Sequence, residues 1–402
     1  MRIVQINAVY QYSSTGKLTE EMQEYMLSKG EDSYVFCTNW NDSQKGIYKI
    51  GSKLDYKIHG LLSRVFGKQG YYSVIPTLNL IKRLRIIKPD VVVLGNLHGN
   101  YINLPKLLRY LAEDKVPTLL ILHDCWFFTG HCCYYVEDQC SKWMTECKQC
   151  PAINKYNKSL FFDTSTELFN EKKKLFAKIE NLTVVGVSEW VKNEAKKSAI
   201  LSRAKRFDRV YNWLNLDLFH PKDATQVRTE LKFGKSDFII LGVSQIWNDY
   251  KGIGRFVKLA ESRPNYRILL VGKMPTDITL PSNITSLGVI NNPEDLSMLY
   301  NMADVFVNFS IQETFGKVSA EAVACGTPIV TNTTTANPEL CGEGCGIVVD
   351  LNDWSGVLEA IDTIHSNGKR TYSPNCVSFA QANFEKQGRL DEYYQLIKEI
   401  TK

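Results

Sequence analysis

Short runs that are apolar on consecutive positions, rather than on alternate ones, constrain this chain more than any other feature. In the first half they fall at 2–6, 34–37, 90–94, 118–122 and 183–187, and in the second at 238–243, 267–271, 304–308, 328–331 and 346–349. A strand without a polar face has to be covered on both sides, which a parallel sheet between two layers of helices achieves. The stretches between the runs are amphipathic and long enough for crossover helices, so the chain is an α/β alternation played twice. Its 402 residues exceed what one core usually serves. The expectation is two Rossmann-like, doubly wound domains facing a deep cleft, with chemistry gathered just after the carboxyl ends of the strands.

The polar segment NWLNLDLFHPKDATQ, carrying Pro221, is the natural linker, and 376–402 has helical apolar spacing. The expected organisation is a first domain at 1–212, a second at 213–380 and a last helix at 381–402 that crosses back onto the first. The longest apolar runs fall far short of the roughly 18–20 residues a membrane helix needs. MRIVQIN lacks the apolar core and cleavage site of a signal peptide, so a cytoplasmic protein is expected. The eleven cysteines are odd in number and six crowd between Cys125 and Cys150, which favours a reducing compartment over a disulfide framework. Charge is uneven: residues 1–217 carry 31 Lys+Arg against 22 Asp+Glu, whereas 218–402 carry 17 against 21. A basic half suits phosphorylated substrates, anionic lipid or nucleic acid, and charge alone does not choose among them.

The most informative stretch is SIQETFGKVSAEAVACGTPIV, residues 310–330. Thr314, Phe315 and Gly316 look like the opening of a helix, whose free N–H groups and positive dipole end favour phosphate oxygens. Glu313 precedes that opening and Glu321 lies two turns beyond it. Two carboxylates bracketing a phosphate site suit a nucleotide joined to a sugar, although a solvated pair on a merely packing helix is the commoner outcome of such spacing. Lys251, beside Gly252 after a strand, adds a cation for a diphosphate. His123 and Asp124 directly follow the strand 118–122, at the end where site residues belong.

The E-x7-E pattern followed by ACGTPIV resembles the donor-site signature of family 4 glycosyltransferases, retaining enzymes of the GT-B fold. SQIWNDYKGI resembles that family's segment with a phosphate-binding lysine, LYNMADVFVNFS the run before the donor motif, and RVYNWLNLDLFHP its interdomain linker. The resemblance implies a nucleotide sugar donor, UDP-linked ahead of GDP-linked, and a glycan or lipid-linked acceptor in surface polysaccharide synthesis. It implies His123 and Glu313 at the donor sugar, with Gly16, Lys251, Thr314, Phe315, Gly316 and Glu321 binding the nucleotide. Two positions depart from it: Gln245 stands where the family has Arg, and Thr15-Gly16 where it has Gly-Gly. No Asp-x-Asp pair stands at a strand end, so no catalytic divalent metal is expected. An epimerase of the same fold and a non-catalytic glycan-binding protein are the alternatives.

Cys132, Cys140, Cys147 and Cys150 lie within the Cys-rich segment 125–151, with Cys133 competing for the first place. Cys147-x-x-Cys150 has the spacing of a zinc knuckle, and four thiolates suit a closed structural site; plain thiols suit the same sequence. Similar Cys-rich inserts ending in C-x-x-C-P are familiar from a polysaccharide-synthesis branch of the family. From Lys53 to Lys88 eight Lys+Arg face a single acid, Asp55, among Tyr56, Leu61, Leu62, Val65 and Phe66. That composition fits peripheral contact with anionic lipid as well as a solvated helical face, and no nucleic-acid reader motif accompanies it.

Overall fold

The computed structural model describes residues 1–38 and 45–402. Among these residues the strands are β1 (Arg2–Ile6), β2 (Asp32–Cys37), β3 (Ile47–Lys49), β4 (Val91–Leu94), β5 (Thr118–Leu122), β6 (Leu182–Gly186) and β7 (Arg206–Arg209), then β8 (Ile239–Ile246), β9 (Arg267–Lys273), β10 (Ile284–Gly288), β11 (Val305–Val307), β12 (Ile329–Asn332) and β13 (Gly346–Val349). They build two parallel sheets, ordered β3-β2-β1-β4-β5-β6-β7 and β10-β9-β8-β11-β12-β13, each flanked by helices. Two compact units result: Met1–Val210 joined by Leu390–Lys402, and Tyr211–Arg389.

Every expected strand is present, and β3, β7 and β10 are additional. All three lie at sheet edges. Interior strands such as β4, β5 and β6 are buried at every position, whereas β7 reads RFDR with no buried residue and β10 reads ITSLG with only Ile284 buried. Consecutive apolar residues mark strands covered on both faces, and an edge strand carries polar residues that escape that signal.

The segment expected to link the domains begins just past the boundary between the two units. Trp213, Leu214 and Phe219 are buried, and Leu214 N–H donates to Phe384 O at 2.9 Å, so the segment is built into the second unit. The last stretch is two helices, Lys369–Phe384 and Lys386–Ile400. The first of these packs on the helix Lys317–Ala324, which puts the return to the first unit at Leu390 and not at 381.

In the first unit the helix Lys53–Phe66 opens on a capping box, Ser52 Oγ accepting from Asp55 N–H and the Asp55 carboxylate accepting from Ser52 N–H. Its inner face buries His59. Gly70 N–H donates to His59 Nε2 at 3.2 Å and Nδ1 lies 2.7 Å from Ser73 Oγ, an arrangement that requires neutral imidazole with its proton on Nδ1. Burial pushes its pKa down from 6.5 to about 4. The unfolded chain therefore takes up this proton first on acidification, and stability declines between pH 6.5 and 4 by up to roughly 3 kcal/mol from this group. His59→Gln, which does not titrate, is expected to flatten that part of the profile in urea melts at pH 7 and pH 4.5. An acid slope equal to that of the parent protein would place the sensitivity elsewhere.

Candidate functional site

Strand order reverses between β8 and β11 in the second sheet, and at such a reversal the loops leaving the strands diverge and open a crevice. A cavity of about 310 Å³ occupies that place, walled by Ser244 and Gln245 at the end of β8, by Trp247 and Lys251 after it, and by Asn308, Ser310, Glu313 and Lys317 after β11. The two loops are tied by Ile311 N–H donating to Tyr250 O at 3.0 Å. Gly252, at φ 80°, permits this approach: a Cβ there would lie 2.4 Å from Phe309 Cβ.

Lys251 and Glu313 meet on the cavity wall, Lys251 Nζ donating to Glu313 Oε1. Sixty-two residues apart in sequence, they form a pair that is mostly shielded from solvent. The Glu313 main chain is held by Thr335 Oγ1, which accepts its N–H at 3.1 Å, and by Ala336 N–H, which donates to its carbonyl. Glu313 does not cap the helix that follows.

That helix spans Lys317–Ala324, two residues later than the sequence suggested, because Gly316 turns the chain at φ 90° and serves as the N-cap. The ring of Phe315 packs between Tyr211 and Phe384, 6.0 and 5.6 Å between centroids, leaving its backbone for any ligand. Glu321 consequently sits little more than one turn into the helix, not two. It is 5% exposed, accepts from Tyr300 Oη at 3.0 Å through Oε2, and has Lys317 Nζ 3.7 Å from Oε1.

A buried amide network, not anticipated from the sequence, fixes the loop between β11 and this helix. Asn308 Nδ2 donates to Ser319 Oγ and Asn337 Oδ1, Ser310 N–H donates to Asn308 Oδ1, and both Asn332 and Asn337 donate to Ser310 O, all at 2.8–3.1 Å. The runs NFS and TNTTTANPEL were the available signal, since Asn and Thr in such density bond the backbone of turns.

In the first unit the reversal lies between β1 and β4. Gly16 stands in the helix Ser13–Ser28 after β1, and a Cβ there would lie 3.3 Å from Tyr10 and Gln11 backbone atoms, so the glycine lets this loop close on the helix. Asn7 bridges the two strand ends, Oδ1 accepting from Asn96 N–H at 2.9 Å and Nδ2 donating to Thr19 Oγ1 at 2.9 Å. His123 follows β5, half-buried, and burial pushes its pKa to about 4 against the pull of Asp124. Asp124 pairs with a residue the sequence reading passed over, His98, whose Nε2 lies 2.7 Å from Asp124 Oδ2. Burial alone would raise the Asp124 pKa; His98 and the Trp126 N–H at 2.8 Å hold it below the ordinary carboxylate value.

The adjacent cysteines separate. Cys133 Sγ lies with His98 and Asp124, ligand atoms within 4.8 Å of one another, whereas Cys132 joins Cys140, Cys147 and Cys150 around a different, small cavity.

Residues 237–367, which contain the whole of the second-unit site, match the family described as "Glycosyl transferases group 1". The D-inositol 3-phosphate glycosyltransferase of Mycobacterium sp. (strain KMS) is 29% identical over 203 residues, 46% of this chain and 46% of that protein. The alpha-monoglucosyldiacylglycerol synthase of Acholeplasma laidlawii is 26% identical over 65% of this chain and 63% of its own length. The match thus spans about half the length of the first of these curated relatives. Among solved structures, sucrose-phosphate synthase from Thermosynechococcus elongatus superposes with a TM-score of 0.68 at 17% identity, covering 99% of this chain and 98% of that one. Anabaena HepE, solved with UDP and glucose, gives 0.64 at 15% identity over 99% and 100%. The fold is therefore GT-B, two Rossmann-like lobes with a C-terminal helical extension.

Proposed function

We propose that this chain is a retaining glycosyltransferase that moves a sugar from a nucleoside diphosphate, UDP ahead of GDP, to a hydroxyl of a glycan or lipid-linked acceptor during surface polysaccharide assembly. The observation that carries this reading is the Lys251–Glu313 pair on the wall of the cavity at the second sheet's reversal, beside the opening of the helix Lys317–Ala324. Lys251 and the N–H groups around Thr314, Phe315 and Gly316 neutralise charge building on the departing diphosphate, a preorganised role that needs no metal. The Glu313 carboxylate opposes positive charge growing at the anomeric carbon in an oxocarbenium-like transition state. Glu321 accepts from the ribose. Gly16 lets the backbone approach the phosphates. His123, neutral at physiological pH, is a hydrogen-bond partner for a sugar hydroxyl and not a general acid.

Thermal unfolding against a panel of nucleotides tests the donor assignment. UDP at 100 times its dissociation constant is expected to stabilise the protein by roughly 2.7 kcal/mol. GDP at the same concentration is expected to stabilise it less, and a flat response to every nucleoside diphosphate would remove the donor site.

A lipid-linked acceptor fits the surface of the first unit. Among the described residues, twelve of the seventeen exposed large apolar side chains fall in 54–86 or 160–162, with Ile75 70% exposed and Phe161 72%. The two segments join where Phe66 stacks on Phe162 and Leu160 N–H donates to Arg64 O. No helix among the described residues is long and apolar enough to cross a membrane. Apolar tips beside eight Lys+Arg suit peripheral docking on anionic lipid at the cytoplasmic face, each well-placed basic residue contributing about 1 kcal/mol. Leu61→Glu with Ile75→Glu is expected to abolish co-sedimentation with phosphatidylglycerol vesicles while nucleotide affinity is kept. Failure of the parent protein to sediment at low salt would end the membrane reading.

A further inference from the structure

We propose that Cys132, Cys140, Cys147 and Cys150 hold one tetrahedral, structural zinc ion. All four line a single small pocket, together with His131 and Trp143. Cys147 Sγ accepts the Gly130 N–H at 3.2 Å, the kind of backbone bond that orients and stabilises a metal-bound thiolate. Gly130 is forced by that contact: a Cβ there would lie 2.8 Å from Cys147 Cβ and 2.4 Å from Ser165 O.

Two further observations point to negative charge on these sulfurs. His131 lines the same cavity at 1% exposure, and neither ring nitrogen has a hydrogen-bond partner; the carbonyls of Asn157 and Ile153 act on it without closing a bond of ordinary geometry. A bare buried imidazole is costly, and a zinc-bound thiolate supplies the strong acceptor that a neutral thiol does not. Lys172 is the second. It is 0% exposed and donates to the carbonyls of Trp126 at 2.7 Å and Thr129 at 3.1 Å, with no carboxylate bonded to it among the described residues. Four thiolates around one divalent ion carry net negative charge, which gives this buried ammonium a counter-charge that four neutral thiols would not.

Among the described residues, His98, Asp124 and Cys133 are the set whose ligand atoms lie within 4.8 Å of one another, so the four sulfurs close into a tetrahedron only on binding the ion; the tighter set is already satisfied internally. His98 and Asp124 bond each other, and Asn157 Nδ2 donates to Cys133 Sγ at 3.5 Å.

The test is elemental analysis of the full chain purified without added metal, followed by exchange with cobalt(II) and visible spectroscopy. One zinc per chain is expected, with a cobalt form showing the intense visible bands and sulfur-to-metal charge transfer of a four-thiolate tetrahedral site. Cys147→Ser and Cys150→Ser should lose both signals, and Cys133→Ser and His98→Ala should keep them. Should the serine variants fail to fold, the cobalt spectrum of the unmutated protein still reports sulfur ligation. Near-zero zinc with all four thiols titrating under native conditions overturns the proposal, as does a non-reducing mass that shows a Cys132–Cys150 disulfide. Metal lost in Cys133→Ser and kept in Cys150→Ser places the ion in the other group. A cobalt spectrum kept in Cys140→Ser and lost in His131→Asn refutes the four-sulfur set.

Discussion

Glu313→Gln is expected to lower turnover about a hundredfold while affinity for the free nucleoside diphosphate stays level or tightens. The two effects have separate origins. A charged contact to the reacting sugar strengthens as positive charge develops, so its loss falls on the transition state far more than on the bound ground state. A charge-assisted hydrogen bond of about 1.5–3 kcal/mol converts to roughly 10- to 150-fold in rate. The structure adds the second effect, because Glu313 also binds Lys251, and a neutral amide leaves that ammonium free for phosphate oxygens. If Glu313 served only as the counter-ion of Lys251, the substitution would tighten the diphosphate and leave turnover per folded molecule unchanged. Saturating-donor rates, calorimetric UDP affinity and the melting temperature, measured on one preparation, separate the cases. Full turnover in a stably folded variant would sink the catalytic assignment.

Glu321→Ala should combine two losses, and Tyr300→Phe is the control that divides them. Truncating the carboxylate leaves the buried Tyr300 hydroxyl without its acceptor, at a cost of about 1–3 kcal/mol in stability. If the carboxylate also accepts from ribose, donor affinity should fall at least tenfold. Tyr300→Phe breaks the same internal bond but keeps the carboxylate, so it should lower the melting temperature and spare UDP binding. Equal affinity losses in the two variants would make Glu321 a packing residue and move the ribose contact elsewhere.

What was legible in the sequence followed from burial. The interior strands announced themselves because both faces are covered; β3, β7 and β10 did not, because a strand such as RFDR is written for water on one side. The residues proposed for the donor site could be picked out because they stand in one short run, Glu313 to Glu321, with Lys251 in a second. Their pairing could not, since nothing in a linear sequence shows that Lys251 and Glu313, 62 residues apart, converge. The partner of Asp124, His98, was missed for the same reason, the two lying 26 residues apart on neighbouring strand ends. The choice between Cys132 and Cys133 depended on which way consecutive side chains point, a property of local backbone that spacing does not encode. The helix start moved to Lys317 because Gly316 adopts a left-handed turn.

The order in which the chain is made carries a further consequence of its division. Residues 1–210 leave the ribosome first, yet their unit also contains Leu390–Lys402, where Leu390, Tyr393, Leu396, Ile397 and Ile400 are buried. Asn181 Nδ2 donates to Ile400 O, Arg206 pairs with Glu399, and Tyr394 donates to Glu31, so both ends of the first sheet depend on residues synthesised after the whole second unit. During translation the first sheet therefore waits, with its docking surface for that helix uncovered, while the second unit can complete its own sheet. Stalled nascent chains ending near residue 385 should bind a hydrophobic-segment chaperone through the first unit, and adding the residues up to 402 should release it.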